Sequence, residues 1–419
     1  MSIIRSGEKF RDIMRDAGPN KSRGVKRVRD YILTGLNRGS FTAEDIGFRG
    51  LGIALGAIDP LNMESSIRKS IANARSTEDY TAEELLSQES APGLSSSAFQ
   101  VILTDLISNQ VIEGYNRPQG LIGDKLCRTV RVNRRGTKMA GLTALAGPLE
   151  VKEGHEYEDS VFGEKYVTTE ETKKGRILSL NEEAIILDDT GMIYMQAQDL
   201  GEYVRQDVER TKVRGAIDAD YAASKFVYRP SGTGERLYNT DASNKNYVGS
   251  GGLTGFNAAV ALQDWTDIDL ITQFRATKIL DDRIDGDPRP IGGINSNLTL
   301  LVPNALRGIA TYIKNTTKIR NDTTSYRSET NGNMVEGVVN EILTSPYIDE
   351  IGGDALLDWY LGDFMRQFVW TEIYPVQTFT QGRDSESMFA RDVAYRIKVR
   401  YFGGMSARDS IYVTKVDGG

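Results

Sequence analysis

A single cysteine, Cys127, and a single histidine, His155, stand in a chain of 419 residues. One cysteine excludes an intrachain disulfide, which fits a reducing cytoplasm. One of each also excludes the Cys/His clusters of zinc sites and the paired histidines of metalloprotease helices. A Ser-His-Asp or Cys-His device would have to use His155. That residue lies in the acidic stretch Glu150-Val-Lys-Glu-Gly-His-Glu-Tyr-Glu-Asp159 and reads as a solvated loop histidine. Cys127, in Leu126-Cys-Arg-Thr-Val-Arg-Val132, alternates with polar neighbours and reads as a small strand hydrophobe. No apolar run approaches a membrane span, and Met1-Ser-Ile-Ile-Arg-Ser6 lacks the apolar core of a signal peptide. Proline is scarce, at 11 residues against 42 glycines, so many turns and loops are expected. These absences leave no catalytic, cofactor-binding or metal-binding residue to assign.

What is present, at 39% hydrophobic and 26% charged with a formal net charge of -7, describes an ordinary globular protein with room for two or three domains. The first ninety or so residues read as helical, with one apolar stripe at Phe10, Ile13 and Met14 and another at Val25, Val28, Ile32 and Leu36. Ser40 to Asp45 looks like a helix start, opening a segment through Ile58 that Asp59-Pro60 ends. Thr81 to Leu86 is a short further helix, and Ser90 to Ser97 is a linker by composition. A helix from Ala98 to Tyr115 follows. Strands are then expected at Leu126–Val132, Lys165–Thr169 and Gly175–Leu180, with an acidic connection between Glu150 and Glu164. Polar residues outnumber buriable ones there, which is the profile of an extended hairpin.

The longest periodic segment begins after Asp188-Asp189-Thr-Gly191. Ile193, Ala197, Leu200, Val204 and Val208 mark one face, and Val213, Ile217 and Tyr221 continue it. A helix from Met192 to Tyr221 would be roughly 45 Å long, a structural spine. Arg229 to Gly252 reads as a loop, Asp267 to Asp281 as an amphipathic helix, Asn297 to Val302 as a buried strand, and Ala305 to Lys314 as a helix. The tract from Asn315 to Asn333 is polar and loop-like. At the C-terminus Val393, Tyr395, Ile397, Val399 and Tyr401 alternate with Arg396, Lys398 and Arg400, giving a half-buried strand with one cationic face. Gly403-Gly404 is read as its end, and Ile411 to Lys415 as a short return strand.

Several motifs invite a chemical reading and fail it. Gly47 to Gly56 has the wrong spacing for a dinucleotide loop and no strand before it, so close helix packing explains its glycines better. Asp281 to Asp287 lacks the alternating ligands and closing Glu of a calcium loop and reads as a turn after a helix, with a weak surface cation site as the open alternative. The pairs Glu182-Glu183 and Asp188-Asp189 have no His or Lys partner at a telling spacing and suit the positive end of the following helix. Arg5, Lys9, Arg11, Arg15, Lys21, Arg23, Lys26, Arg27 and Arg29 make the N-terminal arm basic, either as a solvated face or as a contact for an acidic partner.

Two segments carry a family resemblance. Gly175 to Gly191, running straight into the long helix, resembles the hairpin-to-spine junction of tailed-phage major capsid proteins, most of all the major head subunit of Mu-type phages. Gly382 to Gly403 is similar to the strand that closes the peripheral domain in that family, and Leu298 to Asn304 with its following helix to a unit of the axial domain. The resemblance covers about Ala98 to Lys415. It implies an α+β fold of the HK97 type: an N-terminal helical arm (1–97), an arm-to-core helix and linker (98–124), an extended hairpin (125–182), a peripheral domain (183–239 with 379–419) and an axial domain (240–378). The acidic run Glu150–Asp159 would reach a neighbouring subunit, and Lys314–Asn333 would sit near a capsomer axis.

The resemblance further implies a non-enzymatic bacteriophage head protein, assembled in the host cytoplasm into pentamers and hexamers of an icosahedral capsid and found in the virion. Its implied partners are itself, packaged double-stranded DNA bound non-specifically, and portal, scaffold and decoration proteins. No membrane and no cofactor are implied. Two alternatives stay open: an encapsulin-like nanocompartment shell, and a DNA-binding protein acting through the basic arm.

Overall fold

The computed structural model describes residues 7–18, 21–41, 45–55, 94–140, 150–151, 166–181, 192–219, 237–238, 246–249, 259–277, 291–316, 318–321, 329–332, 335, 337–352, 357–381 and 393–419. Helices are α1 (Glu8–Asp16), α2 (Lys21–Asn37), α3 (Phe48–Leu55), α4 (Leu94–Asn116), α5 (Gly123–Leu126), α6 (Met192–Ala216), α7 (Trp265–Ala276), α8 (Arg307–Asn315), α9 (Pro346–Gly352) and α10 (Phe364–Gln367). Strands are β1 (Arg128–Arg131), β2 (Lys138–Ala140), β3 (Tyr166–Thr168), β4 (Thr172–Asn181), β5 (Tyr247–Val248), β6 (Leu298–Leu301), β7 (Lys318–Asn321), β8 (Glu329–Gly332), β9 (Val339–Leu343), β10 (Trp359–Gly362), β11 (Phe368–Gln381), β12 (Val393–Ala407) and β13 (Val413–Val416). The chain divides into two compact units.

The first unit comprises residues 1–119, 174–206 and 376–401. Of the apolar stripes of the opening helices, Phe10, Val25, Val28 and Ile32 are buried at 1% exposure or less, while Ile13, Met14 and Leu36 are half-buried. Tyr31 links them, edge-on to Phe10 and tilted against Phe41. The glycine-rich segment is a packing surface: a Cβ on Gly7 would meet the carbonyl of Gly50 at 2.3 Å. Its helix starts at Phe48, later than the Ser40–Asp45 reading, and residues 56–60 lie outside the described ones. The predicted linker Ser90–Ser97 is half helical, because α4 begins at Leu94. Where α4 meets α6, a Cβ on Gly114 would strike the Gln198 carbonyl at 2.1 Å, and one on Gly201 the Val111 carbonyl at 2.1 Å. Backbone thus touches backbone, a closeness only glycine permits. Gln110–Gln198 and Arg205–Tyr115 hydrogen bonds flank the crossing.

The long helix α6 buries Ile193, Ala197, Leu200, Val204, Val208 and Val213 as the periodicity predicts. It ends at Ala216 instead of continuing to Tyr221, because Asp218 adopts a left-handed φ of 53° that a helix cannot extend through.

The second unit comprises residues 120–173, 207–375 and 402–419. Its centre is a five-stranded sheet in the order β5-β13-β10-β6-β9. β10 is antiparallel to β13 and β6, while β13–β5 and β6–β9 are parallel. Leu298, Leu300, Trp359, Leu361 and Val416 form its core with Ile268 and Ile271 of α7 and Ala310 and Ile313 of α8. Asp264 caps α7 in a reciprocal capping box with Asp267. Helix α8 follows a short 3-10 turn, Asn304–Leu306, as expected for the strand–helix pair. The polar tract 315–333 is not a simple loop. β7 and β8 pair antiparallel across it, satisfying each other's backbone.

Two further expectations are corrected. The strand predicted at Leu126–Val132 starts at Arg128, since α5 occupies Gly123–Leu126 and Cys127 is the buried hinge residue after it. β12 runs unbroken through Gly403-Gly404. Those glycines admit close neighbours instead of ending the strand: a Cβ on Gly403 would lie 2.7 Å from the Trp370 ring, and one on Gly404 2.3 Å from the Glu170 carbonyl.

Candidate assembly surfaces

The ionic centre of the second unit is a joint between α5 and α6. Glu209, 2% exposed, accepts from the Ile122 N–H at 2.6 Å and from the Gly123 N–H at 2.7 and 2.9 Å. One turn along α6, the buried ammonium of Lys212 bonds Asp124 at 2.6 Å and lies 5.3 Å from the Trp370 ring centre. Cys127 beside them donates to the Gly123 carbonyl at 3.2 Å. Burial pushes its thiol up to about 12, with Asp124 and Glu209 reinforcing the shift and Lys212 opposing it. A thiol so held is no nucleophile.

Arg275 is the second fixed point. Fully buried, its guanidinium donates to Leu361 O, Ile294 O, Tyr412 O, Thr414 Oγ1 and Asn295 Oδ1 at 2.9–3.2 Å. Burial lowers its pKa to about 10, and Asp363 acts the other way. The planar fork ties α7 to the strand ends around it.

Two strand pairings follow in the same unit. β1 runs parallel to Val369–Glu372 of β11, and three residues of β2 pair antiparallel with β3. Glu171 pins the stem, accepting from Gly136 N at 3.0 Å and Thr169 Oγ1 at 2.5 Å. Burial opposes its charge, but those hydrogen bonds outweigh it and hold the carboxyl below its usual value. β1, β2 and Arg408 border a groove of about 780 Å³ whose walls carry Arg128, Arg131, Arg134 and Lys138.

Large apolar side chains stand in solvent. Ile177 of β4 is 55% exposed, Met192, Met195 and Tyr203 on α6 are 57%, 52% and 60% exposed, and Tyr312 on α8 is 65% exposed. Met192, Met195 and Tyr203 share one stripe of the helix opposite its buried face.

Of the residues singled out in the sequence, His155, Glu182, Glu183, Asp188, Asp189 and Asp281–Asp287 lie outside the described residues, as does most of Glu150–Asp159. In the arm, Arg29 is committed to Asp105 at 2.7 Å and Arg15 to Asp12 at 2.9 Å, while Lys9, Lys26 and Arg27 are exposed. On β12, Ile397, Val399 and Tyr401 are buried and Lys398 is exposed, as the alternation predicts. Arg400 is not simply solvated: it stacks 4.3 Å from the Phe379 ring centre and donates to Gln377. Glu209, Lys212 and Arg275 escaped the sequence reading. Among the described residues no group of three or more His, Cys, Asp or Glu is placed to hold a metal ion, and no helix is long and apolar enough to cross a membrane.

No curated protein matches the chain. Among solved structures it is similar to the virus-like particle from Pyrococcus furiosus, at 8% identity and TM-score 0.38, covering 74% of this chain and 97% of that one. It is also similar to a Microbacterium phage Oxtober96 structure, at 13% identity and TM-score 0.40, covering 72% and 92%. The capsid of a native GTA particle shows 12% identity and TM-score 0.41, covering 71% and 89%. In sequence, the phage capsid protein family model matches residues 165–416, beginning later than the resemblance from Ala98. That match takes in more than half of the chain, from β3 to the last residue of β13, and the protein belongs to the phage capsid protein family.

Proposed function

We propose that this chain is the major head subunit of a tailed double-stranded DNA phage, with an HK97-type fold, self-assembling into the pentamers and hexamers of a closed icosahedral shell around the genome. The family match over residues 165–416 carries this reading. The apolar residues exposed on β4, α6 and α8 support it, because they are available to contacts between subunits. In this reading 125–182 is the extended hairpin, 183–239 with 379–419 the peripheral domain, and 240–378 the axial domain. The acidic run 150–159 reaches a neighbour, and the β7–β8 ribbon lies near a capsomer axis. The Mu-type affinity rests on Gly175–Gly191. Modest contacts repeated around closed rings give the shell its collective stability. The net charge of -7 limits adhesion of packaged DNA, and Lys9, Lys26 and Arg27 on the arm supply local contacts to it. Portal, scaffold and decoration proteins are the further partners, with assembly in the host cytoplasm. Sedimentation velocity of the purified chain, with and without a co-expressed scaffold, tests this: a fast, discrete particle is expected, and a monomer boundary at every concentration refutes it.

A further inference from the structure

β4 stands last in the order β1-β11-β12-β4, so among the described residues no strand pairs with its outer edge. An open edge presents a row of N–H and C=O groups that can template a further strand. In the first unit this edge runs over residues 174–181. Arg176 is exposed on it, and Ile177 is 55% exposed. Side chains alternate between the two faces, so Lys174 and Arg176 project on one and Ile177 on the other. A Cβ on Gly175 would lie 3.0 Å from the Arg400 Cβ, which places Ile177, two residues on, above the same face as Lys398 and Arg400.

The charge around this edge has one sign. Within the first unit the strand segments 174–181, 376–381 and 393–401 carry Lys174, Arg176, Arg396, Lys398 and Arg400 and no Asp or Glu, in a chain of net charge -7. Arg400 is engaged by Phe379 and Gln377, and Lys398 leans on the same ring at 5.1 Å. The Arg176 side chain has no hydrogen bond or ion pair among the described residues, and the Arg396 Nε is buried without a hydrogen-bond partner. A nucleic acid cannot continue a strand ladder, whereas a polypeptide can, and cations on the edge select carboxylates opposite them. Pairing of the edge with a second copy of itself would bring like charges together. We infer that β4 is a docking edge for an extended acidic segment of a partner protein, added as a further strand. Its carboxylates lie opposite Lys174 and Arg176, and the apolar residues that alternate with them cover Ile177. This goes beyond the shell reading, which assigns no partner to the edge.

Fluorescence anisotropy of the unassembled full-length chain with a short labelled peptide that alternates Val and Glu tests it, whether or not shells form at higher concentration. The Val–Glu peptide should bind about tenfold or more tighter than its Val–Lys counterpart. In a chain with Lys174→Glu and Arg176→Glu that preference should reverse. Arg176→Gln, which introduces no opposite charge, should weaken it and serves where the double variant fails to melt like the wild type. A Val–Glu peptide N-methylated at every amide keeps its charge but cannot donate to the edge, and should bind about tenfold or more weakly than the unmethylated one. No binding by the wild type would overturn the inference. Equal binding of the methylated peptide would overturn it too, since charge would then act without strand pairing. Variants that bind the peptide normally but associate with themselves would show that the cations only guard an open edge, which also ends it. Tighter binding of a DNA duplex than of the peptide, lost on Arg396→Glu with Lys398→Glu, would assign the face to nucleic acid instead.

Discussion

The Glu209 carboxylate accepts from the single N–H of Gly123 through both of its oxygens, at 2.7 and 2.9 Å. With the Ile122 N–H also on Oε1, this anchors the first turn of α5 to the long helix and sets the direction in which β1 leaves. Glu209→Ala would leave two buried N–H groups without an acceptor and remove a carboxylate from beside buried Lys212. A loss of about 2–4 kcal/mol is expected in urea unfolding. A loss under about 0.5 kcal/mol would mean that the joint does not hold α5.

Arg275→Leu removes five hydrogen bonds at once in a dry interior, taking the guanidinium donor from Leu361 O, Ile294 O and Tyr412 O, of which Tyr412 O keeps the Asp363 N–H. Arg275→Lys fails almost as badly, because one ammonium offers three donors to five separated acceptors. Both variants should lose about 3 kcal/mol or more, or aggregate on expression. Wild-type unfolding midpoints for both would contradict the pinning role.

Cys127 gives a pH signature. Its folded pKa, about 12, lies above the ordinary 9.0, so the folded state holds the proton where the unfolded chain releases it. That contribution is complete below pH 9.0 and is lost as pH rises towards 12. Thermal stability should therefore decline across this window, and Cys127→Ala should flatten the part of the decline due to the thiol. Iodoacetamide should label the folded chain far more slowly than the urea-unfolded chain at pH 8.5, and equal labelling rates would show that the thiol is exposed.

Ile397 is 1% exposed on β12, between half-buried Arg396 and exposed Lys398. Ile397→Lys buries a charge without a partner and should unfold the strand's surroundings, abolishing assembly and the cooperative melt together. Lys398→Ile changes the outward face and should leave the melt intact. The reverse pattern would mean that the faces are assigned backwards.

How far the sequence disclosed this can be read from particular residues. The stripe Ile193–Val208 and the alternation Ile397–Tyr401 were legible because burial there follows a simple period. Arg275, Glu209 and Lys212 were not, because each takes partners more than 80 positions away, and separation along the chain gives no hint of those pairings. One signal was available: Arg275 stands four residues after Ile271 and seven after Ile268, on the apolar stripe of its own helix, and Lys212 stands four after Val208. A charge on a buried stripe marks a fixed point. The opposite error came from Gly403-Gly404, where glycine was read as a break although it marks the approach of Trp370 and Glu170.

We propose that this chain builds a closed shell. Electron microscopy of the purified full-length protein under assembly conditions, with co-expressed scaffold as a second arm, tests it most directly. Uniform icosahedral particles with pentameric and hexameric capsomers are the predicted result. Fields of isolated subunits in both arms, from protein that melts cooperatively, would contradict it.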